Sequence, residues 1–119
     1  MEDAFYAFRY SQQFVGRSEK VENVILNYID ENGTKDSDIA LWYAQEIIKS
    51  NWPEAEKIIS KNASNAFKYV KDCINENNIN EVTSHIHIAA FSRSPYDRKR
   101  YVSLLKERKI DFNTIANYI

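Results

Sequence analysis

Glycine and proline are nearly missing from this 119-residue chain, which has two of each. That leaves little material for tight hairpins or for glycine-rich loops that cradle phosphates, while the stretches between are rich in residues that tolerate or favour helix. A single cysteine, Cys73, excludes an internal disulfide. No run approaches the roughly 18 apolar residues of a membrane span. The opening MEDAFYAF also has neither the basic region nor the apolar core of a signal peptide. The expectation is an all-α protein of a reducing cytoplasm, with no membrane association.

What is present is apolar material enough for one core. With 44% hydrophobic and 13% aromatic residues, residues 1–119 are expected to form a single domain. Net charge is -1, but it is unevenly spread. From Arg93 to Lys109 seven bases face two acids, a local +5, and the remainder carries -6. A basic segment on an acidic body is a candidate footprint for an acidic protein or a nucleic acid, and the plain alternative is a solvated helix face.

Three segments align without gaps: AFRYSQQFV (Ala7 to Val15), ALWYAQEII (Ala40 to Ile48) and AFKYVKDCI (Ala66 to Ile74). Ala stands first, a large apolar residue second and Tyr fourth. Positions 1, 2, 4, 5, 8 and 9 recur at the helical period and predict a buried face. The continuations GRSEKVENVI (Gly16 to Ile25), SNWPEAEKII (Ser50 to Ile59) and NNINEVTSHI (Asn77 to Ile86) each show a polar turn, a helix start and then apolar residues about a turn apart. Ser18 and Asn80 are expected to cap the first and third of these helices. In the second, Pro53 suits the first helical position, and Trp52 just before it staples the chain to the first turn.

The expected architecture is therefore a tandem array of helix-turn-helix units at about 4–30, 37–61 and 63–90, with a degenerate closing helix pair at 94–119. That makes about eight helices. Ser94 and Pro95 mark the start of the closing pair, and DENGTKD (Asp30 to Asp36) reads as a loop between units.

The run from Ala40 to Ile59, with its Tyr-Ala pair, Ile-Ile-Lys and Trp-Pro-Glu-Ala-Glu, resembles a short helical repeat found in tandem in uncharacterised proteins of tailed bacteriophages. The match is close in the second unit, looser in the first and third, and absent in detail after about residue 90. The resemblance implies a phage-encoded helical protein made in the host cytoplasm, and it carries over no catalytic, metal or cofactor residue.

Candidate chemistry meets a structural explanation at most positions. His85 and His87 lie about 200° apart on a helix and cannot share a metal. His85 aligns with Val24 and Ile58, so it is expected to be packed and partly buried, with His87 at the surface. Cys73 aligns with Phe14 and Ile47, a core slot for an inert thiol. Glu54 and Glu56 suit the positive end of a helix dipole. Tyr10, Tyr43, Tyr69 and Tyr101 resemble a stacking ladder for single strands, but core tyrosines with hydroxyls at the rim are the simpler reading.

Two features stand apart. Trp42 occupies a place filled elsewhere by Arg9 and Lys68, so it is expected to be exposed and to serve as a contact anchor. Arg98, Lys99 and Arg100 crowd the first turn of a helix, where cations oppose the dipole. With Arg93 and Tyr96 they are candidates to meet something anionic, although no nucleic-acid motif accompanies them. No nucleophile with its base, metal set, nucleotide loop or cofactor motif appears. The leading expectation is a non-enzymatic protein that binds a host or phage protein and modulates a host enzyme or defence system. The alternative is a nucleic-acid-associated regulator using the segment Arg93 to Lys109, and an exposed Trp42 would also suit self-association.

Overall fold

A computed structural model describes residues 4–27, 35–91, 95–111 and 113. The protein is all-α: among the described residues there are seven α-helices, two π-type turns and two short 3-10 turns, and no strand. The loop expected around Asp30, the cap Ser94 and most of the second closing helix lie outside the described residues.

Helix α1 (Ala4–Tyr10) runs into a π turn (Ser11–Val15), and α3 (Lys35–Tyr43) into another (Ala44–Ile48). Both end with a bond spanning five residues, Gly16 N–H to the Ser11 carbonyl at 2.8 Å and Lys49 N–H to the Ala44 carbonyl at 2.7 Å. The terminating residues have positive φ, 65° at Gly16 and 58° at Lys49. Lys49, with ψ 30°, is a left-handed stop, whereas Gly16, with ψ -140°, takes a conformation open chiefly to glycine; both turn the chain sharply into the next helix.

Between and after these lie α2 (Glu19–Asn27), α4 (Glu56–Ile59), α5 (Ala63–Cys73), α6 (Ser84–Phe91) and α7 (Pro95–Glu107). Ser18 caps α2 as expected, its Oγ accepting the Val21 N–H at 3.4 Å. Pro53 opens a 3-10 turn (Pro53–Ala55) that leads into α4. Trp52, 1% exposed, lies with its ring 4.9 Å from that of Tyr43. Asn62 caps α5 by accepting the Asn65 N–H at 3.1 Å.

Asn80 is not a cap. It sits inside a 3-10 turn (Ile79–Glu81), Val82 is extended, and α6 starts at Ser84. The delay has a tertiary cause, because the Glu56 Oε1 accepts the Thr83 N–H at 2.6 Å and so holds the chain just before α6.

Two side-chain contacts recur between successive segments. The Tyr43 hydroxyl accepts the Ser18 N–H at 3.0 Å and donates to Glu22 at 2.8 Å. The Tyr69 hydroxyl accepts the Trp52 N–H at 2.7 Å and donates to Glu56 at 2.6 Å. In both, one hydroxyl closes an orphan N–H at a helix start and reaches the carboxylate four residues on. Likewise Gln12 donates to Glu46 at 2.8 Å, and Gln45 to Asp72 at 2.7 Å.

The core follows the same register. Ile25, Ile59 and Ile86, which end the three continuation segments, are all fully buried. Ala40, Tyr43, Ala44, Ala66, Tyr69 and Val70 are fully buried too. The first segment departs from the pattern, since its Tyr10 is 53% and its Phe14 72% exposed. The radius of gyration is 14.4 Å, with extents of 42 × 30 × 19 Å. A compact chain of this length would have about 13.5 Å, so the stack is slightly elongated.

Candidate functional site

The buried titratable groups are engaged in architecture. Glu56 is fully buried at the start of α4, where it receives Tyr69 and Thr83. Burial pushes its carboxyl above the ordinary range, against the opposing pull of those two bonds. The expectation that it merely faces the helix dipole therefore holds for exposed Glu54 and not for Glu56. Burial likewise raises Tyr69, and it raises Tyr43 to about 12. The Cys73 thiol, 3% exposed, is also pushed up to about 12, which suits an inert core slot.

The histidines are the reverse of what their alignment predicts. His85 is exposed, whereas His87 is 1% exposed, with Nδ1 2.7 Å from the Tyr101 hydroxyl. The reason lies at Thr83, which stands where the other units have Glu22 and Glu56. With no carboxylate there, Tyr101 meets a partner one helical turn later, and that partner is His87. Its pKa falls to about 4 because burial penalises the imidazolium.

The tyrosines form no exposed stacking ladder either. Tyr43, Tyr69 and Tyr101 are completely buried; the Tyr43 hydroxyl reaches half-buried Glu22 at the rim, as expected, whereas those of Tyr69 and Tyr101 are bonded inside the core. Tyr10 alone of the four is exposed. Its ring lies 5.4 Å from that of Phe14, and Tyr6, 72% exposed, stands one turn earlier. Sequence reasoning placed Tyr10 and Phe14 in the core because it aligned them with buried residues. A helix position is buried only where a neighbour covers it.

Trp42 is 39% exposed on α3, as its polar counterparts predict, and its ring leans on Phe8 of α1 at 6.1 Å. Phe5, Tyr6, Tyr10, Phe14 and Trp42 thus give α1 and α3 an aromatic surface.

The C-terminal candidates lie elsewhere. Arg93 falls outside the described residues. Arg98 stacks on Phe91 at 5.5 Å and does not reach the groove between α5 and α7. Tyr96, Lys99 and Arg100 do line that groove, opposite Phe67 and Lys71 of α5. The Arg100 guanidinium lies 4.8 Å from the Phe67 ring centre and 5.8 Å from that of Tyr96. Arg108 donates to the Lys71 carbonyl and ties the end of α7 to α5. The cluster of cations points to the α7 wall, but α7 opens at Pro95, so Lys99 and Arg100 stand in its second turn, beyond the dipole's reach, and not in the first turn as expected; the α5 wall, some thirty residues away, carries no such signal.

No helix of the described residues is long and apolar enough to cross a membrane. Comparison with family models, curated proteins and solved structures finds no match to this chain.

Proposed function

We propose that this is a non-enzymatic, phage-encoded helical repeat protein that acts in the bacterial host cytoplasm by binding, and so modulating or inhibiting, a host protein. The observation that carries this reading is the uncovered aromatic face of α1. Tyr10 occupies the fourth place of its segment, where Tyr43 and Tyr69 are buried and bonded to the start of a preceding helix. Tyr10 instead points a ring and hydroxyl of the same kind outward, flanked by Tyr6 and Phe14. Contiguous exposed aromatic side chains mark protein contact surfaces, and tyrosine and tryptophan dominate the energy of such contacts.

The recurrence of the tyrosine and glutamine contacts supports a tandem-repeat organisation, and helical arrays of that kind offer extended binding surfaces. The buried acids, histidine and thiol serve packing, which supports a binding rather than a catalytic role. The resemblance of Ala40 to Ile59 to phage repeats supplies the host setting.

Capture from a bacterial lysate tests this. The intact protein is expected to retain a host protein in stoichiometric amount, and a Tyr10→Ala/Phe14→Ala variant with unchanged helicity is expected to lose it. Recovery of nothing stoichiometric, or equal recovery by the variant, defeats the reading.

A further inference from the structure

The groove between α5 and α7 has a composition that neither packing nor the α1 surface explains. Two adjoining cavities of about 170 and 390 Å³ share Phe67, Lys71 and Arg100. The larger also takes in Tyr96 and Lys99, and the smaller takes in Lys68. Lys68, Lys71, Lys99 and Arg100 are all exposed, and Tyr96 is 70% exposed. Asp97 and Glu107 also line these cavities, so the groove keeps an excess of positive charge.

Lys99 and Arg100 stand in the second turn of α7, which opens at Pro95, and both are exposed. Arg100 is also pre-positioned. Its guanidinium carbon lies 4.8 Å from the Phe67 ring centre and 5.8 Å from that of Tyr96, so two rings hold the cation at the groove, where its N–H donors can serve an oxyanion.

We infer that this groove binds single-stranded nucleic acid, with phosphates on Lys71, Lys99 and Arg100 and a base stacked against Tyr96. Tyr96 stays 70% exposed even with Arg100 against it, so most of its ring is open to a stacked base, a contact that an acidic peptide would not make. A single strand uses both cations and ring, since cation-lined grooves with aromatic platforms are how proteins hold it without reading sequence. This inference does not rest on the protein-binding role of α1.

The test is fluorescence anisotropy of a labelled oligothymidylate of about 15 nucleotides with the full chain, over a salt series starting near 50 mM. Binding is expected to weaken with salt, with a log–log slope of roughly -2 for three phosphate contacts on a single strand. Lys71→Glu and Lys99→Glu should each weaken it and flatten that slope. Tyr96→Ala should lower affinity about tenfold at constant slope, as loss of one stacked base predicts. All three residues are exposed, so circular dichroism and melting temperature should stay unchanged. Absence of binding at the lowest salt, or indifference to the charge reversals, overturns the inference. Displacement of the oligonucleotide by polyglutamate of equal charge, with no effect of Tyr96→Ala, would also overturn it and assign the groove to an acidic peptide.

Discussion

His87 and Glu56 are buried groups whose burial acts in opposite directions with pH. The His87 pKa is 6.5 ordinarily and about 4 in the fold. Above about pH 6.5 the imidazole is neutral whether the chain is folded or not. As pH falls further the unfolded chain takes up a proton that the native state refuses, so stability drops between about 6.5 and 4, by up to about 3 kcal/mol. Glu56 is raised from 4.5, so its contribution is present in full below 4.5 and is lost as pH rises through its folded value. It therefore offsets part of the histidine effect on acidification. The two separate by mutation. Urea midpoints from about pH 7 to about pH 4.5 should fall for the intact protein and fall less, or rise, for His87→Asn, whose amide can donate or accept near the Nδ1 position. Parallel profiles for the two proteins would sink the assignment. The swap of His85 and His87 also shows where residue-level reading stopped. Alignment placed Ile86 correctly with Ile25 and Ile59, but the choice between its two neighbours was made by the Tyr101 hydroxyl, delivered by a helix whose position no local pattern encodes.

Helix ends were partly legible and partly not. Ser18 and Pro53 start helices where side-chain chemistry says they should, because a cap is a local bond. The stops were harder to read: the chain closes three helices with a five-residue bond and a residue of positive φ, and two of those residues are lysines. Lys49 ends the π turn after α3 with φ 58°, and Lys109 follows α7 with φ 61°. The Ile110 N–H then reaches the Leu105 carbonyl at 2.8 Å. Only Gly16 has the residue type that announces such a turn. A Cβ added at Gly16 would meet nothing within 4 Å, so the cost of substitution there is conformational. Gly16→Ala should lower stability by about 1–2 kcal/mol, whereas Lys49→Gly and Lys109→Gly should each raise it by about 0.5–1 kcal/mol. Thermal or urea unfolding would measure both signs, and a destabilising Lys49→Gly would show that its side chain has a packing role that outweighs the backbone strain.

Across the whole molecule, the all-α class and much of the buried face followed from sparse glycine and proline and from a 3.6-residue period, both of which report local propensity. What covers what was not legible, and that decides function. Tyr10 and Tyr69 hold the same place in their segments, yet one is half exposed and the other buried, because α4 and Trp52 lie over Tyr69. The α5–α7 groove was half visible for the same reason, with its α7 wall marked by clustered cations and its α5 wall supplied by packing. Trp52 is where successive segments meet: its ring touches Tyr43, its N–H bonds Tyr69, and its own segment leads into α4. Were the helices an array held by neighbour contacts, as proposed, damage at this joint would separate the two sides rather than loosen everything equally. Trp52→Ala should cost about 3–5 kcal/mol by urea unfolding. Hydrogen exchange of the variant should show protection lost first in α1 to α3 and retained longer in α5 to α7, where Tyr101, His87 and Ile86 keep their own contacts. Uniform loss of protection, with one sharp transition for all amides, would show a single cooperative core instead of stacked units.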